Sequence, residues 1–221
     1  MRKIISILAA AVLALGLTAC GTSAVKETAQ ATTAESSQTT QETAAKTEND
    51  ETEAETSGTE TDKTGGVLVV YFSATGNTKD IAGKIAGITG GDLYEIKPAQ
   101  EYTDADLNWN DSGSRSSKEQ NDPSARPEIG SDDLSLDGYK TVYIGYPIWW
   151  GEEPRIMDTF AEKYDFNGIS MIPFCTSGSS GIGRSGQNLA DKAGSGNWLD
   201  GKRFAAGTSE DDIRSWIEGL Q

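Results

Sequence analysis

The chain has 221 residues and a formal net charge of −15 at pH 7, which excludes an electrostatic grip on nucleic acid or on anionic lipid headgroups. It contains no histidine, so Ser-His and Cys-His catalysis and most zinc sites are excluded as well. Its two cysteines, Cys20 and Cys175, lie in regions of different character.

Residues 1–20 have the composition of a secretory leader. Arg2 and Lys3 are followed by an apolar run from Ile4 to Leu17, then by small residues before Cys20. The run is short for a membrane span, which takes roughly 20 apolar residues. The quartet Leu17-Thr18-Ala19-Cys20 resembles a bacterial lipobox. The resemblance implies cleavage before Cys20, lipid on its sulfur and an extracytoplasmic chain held to the membrane by that anchor alone. Several acyl chains give a stable anchor where one would be marginal.

Residues 21–64 consist mainly of Thr, Ser, Ala, Glu, Gln and Lys, with Val25 as the one large aliphatic residue. Such a segment cannot bury enough apolar surface to offset chain entropy, and a disordered linker is expected. It would span about 35–40 Å end to end.

Residues 65–221 suffice for one domain with its own core. The run 67–72 is continuously apolar and β-branched, as expected of a central parallel strand. Helical spacing follows over 78–88, a short strand over 93–96, and a buried strand over 141–146. A helix is expected over 154–164 with Pro154 in its first turn, a strand over 169–175, and a helix ending at Lys192. A last strand over 203–206 and a helix over 209–220, capped by Ser209, close the chain. This alternation predicts an α/β sandwich around a mostly parallel sheet. The segment 97–136 is too long for a plain connection. A crossover helix starting at 103–106 and running through Leu107 is expected within it.

In open α/β sheets, ligands bind at the carboxyl ends of the strands. Three such ends carry unusual loops. The first holds Ser73, Thr75, Gly76, Asn77 and Thr78, with no charge, and leads into a helix whose free N–H groups favour a phosphate. The order Ser-x-Thr-Gly-Asn-Thr after a strand resembles the phosphate loop of flavodoxins. It lacks the Gly-Lys-Ser/Thr ending of a Walker loop.

The second loop holds Pro147, Ile148, Trp149, Trp150 and Gly151. Two adjacent tryptophans are costly to leave without a partner. The flavodoxin resemblance implies that Trp150, or else Trp149, stacks on an isoalloxazine ring, and that the peptide at Gly151 can turn its carbonyl toward the ring. Pro147-x-x-Trp150 also resembles FMN-dependent quinone reductases.

The third loop holds Thr176, Ser177, Gly178, Ser179 and Gly181, whose backbone amides can approach a polar ring edge. Flavodoxins often place a second aromatic residue here, and this loop has none. That departure leaves one ring face open, or covered by Trp109 or Tyr102 of the long segment. Cys175 is expected to be a packed, inert thiol. Glu152 and Glu153 are either solvated loop acids or charges that lower a flavin potential. Arg115, Glu119 and Arg126 are expected in surface ion pairs.

Taken together, the three loops resemble a bacterial flavodoxin-like family over nearly all of 66–221. The resemblance implies a doubly wound fold with a five-stranded parallel sheet of order 2-1-3-4-5, and FMN as cofactor. It implies electron transfer with a redox partner protein or a small acceptor. An FMN-dependent NAD(P)H or quinone oxidoreductase is the alternative.

Overall fold

A computed structural model describes residues 65–220. The leader with Cys20, the linker 21–64 and Gln221 lie outside the described residues.

Among the described residues, six strand segments and five helices follow in this order: β1 (Gly66–Tyr71), α1 (Asn77–Thr89), β2 (Asp92–Glu95), α2 (Arg115–Asn121), β3 (Tyr139–Pro147), α3 (Arg155–Lys163), β4 (Ser170–Thr176), α4 (Ser185–Ala193), β5 (Asn197–Trp198), β6 (Lys202–Phe204) and α5 (Glu210–Glu218). The sheet order is β2-β1-β3-β4-β5, with every pairing parallel, as expected. The central strands are apolar on both faces because helices cover both. Leu68, Val70 and Phe72 face Ile156, Met157 and Phe160 of α3 in one core layer. Val69 and Tyr71 face Ile81 and Ile85 of α1 and Ile213 of α5 in the other.

The fifth position differs from the expected single strand over 203–206. β5 pairs with Ser170 and Met171, and β6 pairs with Phe174, Cys175 and Thr176, so two short segments share one edge of β4. The break between them falls opposite Pro173. The Met171 carbonyl accepts from Leu199 N on this edge, so residue 173, two positions on, faces it too. Proline has no N–H to donate there.

The long segment also differs from expectation. Thr103 and Asp106 bond each other through both side chains and backbone, but only a turn forms. Asn108 then takes the amide of Asn110 with its own side chain, a local bond that competes with helix continuation. The helix begins instead at Arg115, where the Ser114 hydroxyl accepts the Ser117 amide. Ser116 N and Oγ both donate to the Asp106 carbonyl, tying the turn to this helix. At α5 the expected cap holds: Ser209 accepts from Asp212 N.

Candidate functional site

The three loops of interest follow β1, β3 and β4, which are neighbours in the sheet, so their carboxyl ends lie side by side. In the first loop, Gly76 is the N-cap of α1 and has φ 86°. Such a left-handed backbone suits glycine. Unlike α2 and α5, α1 has no side-chain cap, so its first-turn N–H groups stay available. Ser73 Oγ is buried and has no hydrogen-bond partner. A buried unpaired hydroxyl is costly, and an arriving acceptor would relieve that cost. Thr75, Gly76 and Asn77 are exposed, whereas Thr78 is buried. Its hydroxyl lies 2.8 Å from that of Thr176, joining the first loop to the third.

In the second loop the Trp149 amide donates to the Glu152 carbonyl, and the Glu152 amide donates back, both at 3.0 Å. Between them Trp150 has φ 49° and Gly151 φ 87°, the pattern of a type I′ turn. Trp150 is the one non-glycine residue at positive φ among the described residues. A bulky side chain there is a strained outlier of the kind concentrated at functional sites. The two indoles diverge. Trp149 packs edge-on against Phe72 and Tyr102, with centroids 5.7 and 5.4 Å away. Trp150 stays 49% exposed.

The third loop is clamped from β6. Arg203 donates from Nη2 to the carbonyls of Ser177 (2.6 Å) and Gly178 (2.8 Å) and from Nε to Ser177 Oγ. Ser177 Oγ in turn donates to the Ser180 carbonyl. Ile148 N donates to the Thr176 carbonyl, fixing the second loop to the third.

Two cavities meet over this surface. One, of about 460 Å³, reaches from Thr75 and Asn77 across Pro147, Ile148 and Trp149 to Thr176, Ser177 and Gly178. The other, of about 410 Å³, shares Thr75, Pro147, Ile148 and Trp149 but opens toward Trp150, Trp109 and Leu107. No charged side chain lines either. Ser73 lines a third, smaller cavity with Tyr102, and Ser179, Gly181 and Gly151 line none of these three. Tyr102 is not free to cover a ring. Its hydroxyl donates to Glu119 at 2.5 Å, and the Arg115 guanidinium lies 4.1 Å above its face. Trp109 is the long-segment aromatic residue that lines one of the two cavities meeting over this surface.

Beneath the second loop lies a buried polar layer. Glu153 is 1% exposed, so the expectation of two solvated loop acids fails for it. The loop turns its side chain inward against α4, where Oε2 accepts from Asn188 at 3.1 Å and Oε1 has no partner. Burial, helped by the nearby Asp158 and Glu152 charges, pushes its pKa up to about 7. Glu152 stays partly exposed and accepts from Arg155 at 2.9 Å. Arg155 also donates to the Gln120 carbonyl, and Gln120 Nε2 donates to the Glu153 carbonyl. The short helix α2 is thereby stitched to the Trp150 turn. Buried Asp158 sits among Arg155, Lys192 and Arg126 at 3.6–3.8 Å. Burial raises its pKa, and the three cations oppose the rise.

The expected ion pairs are present. Arg115 meets Glu119 at 2.6 Å, and Arg126 meets Glu162 at 2.7 Å. Cys175 is fully buried, and desolvation pushes its thiol up to about 12, as expected of an inert thiol. Arg203, Gln120 and Asn188 were not signalled by the sequence, because their roles depend on which elements pack together.

The Flavodoxin family model matches residues 66–220. A crystal structure of a candidate flavoprotein from Bacteroides uniformis is 46% identical, with TM-score 0.67, covering 70% of this chain and 98% of its own. One from Bacteroides eggerthii is 47% identical, with TM-score 0.66, covering 70% of this chain and 97% of its own. A Lactobacillus acidophilus flavoprotein in complex with FMN shares the fold at 23% identity and TM-score 0.51, covering 67% of this chain and 98% of its own. No curated protein matches the chain.

Proposed function

The chain belongs to the flavodoxin family, and from that premise we propose that it binds FMN and passes electrons between partners outside the cytoplasm, held to a membrane by lipid on Cys20. The observation that carries the cofactor reading is an uncapped helix N-terminus whose Thr75 and Asn77 line an uncharged cavity walled by the second and third loops, with the orphaned Ser73 hydroxyl in the same loop. Neutral donors at a helix start suit a phosphate dianion. A flat apolar floor with backbone polar groups on one side suits a flavin ring. The donor set therefore fits FMN.

Bound FMN would supply the redox chemistry, since no side chain of the site does. The chain's residues do the rest. Ser73, Thr75 and the amides of Gly76, Asn77 and Thr78 hold the phosphate. Pro147, Ile148 and Trp149 form the bed for the ring and exclude water from it, and Trp150 flanks that bed on the side of the second cavity. Thr176, Ser177 and Gly178, held by Arg203, present backbone groups to its polar edge. Glu153 keeps a titrating carboxyl under the loop, and the ion pair of Glu152 with Arg155 holds the turn from below.

Reconstitution tests the reading. The purified chain should take up one FMN, and a Cys20→Ser chain should move from the membrane to the soluble fraction. A chain that leaves the membrane fraction unchanged on losing Cys20 contradicts the anchor. An FMN-dependent NAD(P)H or quinone oxidoreductase is the second reading. It is favoured by the second cavity, which adjoins the ring bed and stays open. Oxidation of NAD(P)H by the FMN-loaded protein would establish it.

A further inference from the structure

The five tryptophans divide into two groups. Trp149 packs on Phe72 and Tyr102, Trp198 on Phe166, and Trp216 on Tyr143 and Phe204, all at ring-centroid distances of 5.2–6.2 Å. Neither indole of Trp109 nor of Trp150 has a ring contact or a hydrogen-bond partner among the described residues. Trp109 is 72% exposed, and Trp150 is held in a strained left-handed backbone. Both line the same cavity, contributed by segments far apart in sequence. Large apolar rings left open on a concave surface mark a binding site.

We propose that Trp109 and Trp150 bound a second ring site, which takes a flat, uncharged aromatic molecule of about bicyclic size beside the cofactor. The proposal rests on the flavin reading above, because it assigns the cavity left open when the cofactor lies against the third loop. The volume of about 410 Å³ lies in the range of small-molecule sites. The polar side chains of the wall, besides the indoles, are the hydroxyls of Thr75 and Ser116. The Ser116 hydroxyl already donates to the Asp106 carbonyl at 2.6 Å. No Lys or Arg lines the wall, so the cavity itself selects an uncharged ring. A second copy of the chain is disfavoured by the −15 that each copy carries. Recognition is left to stacking and buried area, which select a flat, neutral ring. The shared floor of Pro147, Ile148 and Trp149 would set that ring next to the flavin.

Equilibrium dialysis of menadione against the FMN-loaded chain is the test. Trp109→Ala should weaken menadione about tenfold, the loss expected for one stacking ring with its buried area. Trp109→Phe should recover most of the affinity. FMN affinity should stay within about twofold in both variants, since Trp109 does not line the cavity that reaches the third loop. Leu107→Gln should repeat the menadione loss without touching an indole. The proposal is overturned if Trp109→Ala weakens FMN about tenfold, which would assign the indole to the cofactor. It is also overturned if the variant binds menadione as the parent does, or if the FMN-loaded parent binds none. A parent that takes up no FMN contradicts the proposed function instead, and menadione dialysis on that same protein still reads the second cavity.

Discussion

Glu153→Gln isolates the buried carboxyl under the Trp150 turn. In the folded chain this group titrates near 7 against an ordinary value of 4.5, chiefly because burial strips water from the carboxylate. At roughly 1.4 kcal/mol per tenfold change, keeping it charged in the fold costs about 3 kcal/mol. The sign follows from proton uptake: a carboxyl with a raised folded pKa binds more protons in the native state. Its contribution is therefore fully present below about 4.5 and is lost as the pH rises through about 7. Glutamine copies the protonated acid and keeps an acceptor for Asn188. Urea unfolding of parent and variant at pH 4 and pH 8 measures the difference. The two should have nearly equal stability at the lower pH, and the variant should be more stable by about 2–3 kcal/mol at the higher. Carboxylates whose pKa is lowered in the fold, such as Glu162 beside Arg126, destabilise both proteins in acid and cancel in the comparison. A constant difference between the proteins across this range, or a variant less stable at pH 8, would refute the reasoning.

Three further outcomes follow from the same geometry. Ser73→Ala removes an unpaired buried hydroxyl, so the free protein should gain up to about 1 kcal/mol by denaturant titration while losing affinity for FMN more than for riboflavin; equal loss for both ligands would detach Ser73 from the phosphate. Arg203→Met removes the three bonds that hold Ser177 and Gly178 and should weaken FMN and riboflavin alike, by about tenfold in a fluorescence titration; unchanged affinities would mean the third loop needs no clamp. Gly145→Ala would place a methyl group 2.1 Å from the Phe174 ring, and thermal unfolding should show a loss of about 3 kcal/mol or more; a stable variant would mean that the Phe174 ring can move aside.

Much of the fold was legible because its strands are continuous apolar runs and its loops carry their own chemistry. The run 67–72 and the uncharged loop from Ser73 to Thr78 need no tertiary information to be read, and both stand where expected. The long segment was not legible. Thr103 and Asp106 form the opening bonds of a helix, yet Asn108 closes its own local turn and Ser114 starts the helix later. Glu153 looked like its neighbour Glu152, and only the packing of α4 separates them, by placing Asn188 against one and leaving the other beside Arg155. The same holds for the two tryptophans. Adjacent in sequence, they part because the turn forces Trp150 to positive φ while Trp149 enters an aromatic cluster. Local pattern specified the site's first layer, and contacts between distant elements specified the layer beneath.

Titration of the chain with FMN and, separately, with riboflavin tests the central claim most directly. One equivalent of FMN should quench tryptophan fluorescence and give a bound-flavin spectrum, with riboflavin binding at least tenfold more weakly for want of the phosphate. Unquenched fluorescence with no bound flavin, or equal affinity for the two, would contradict the account.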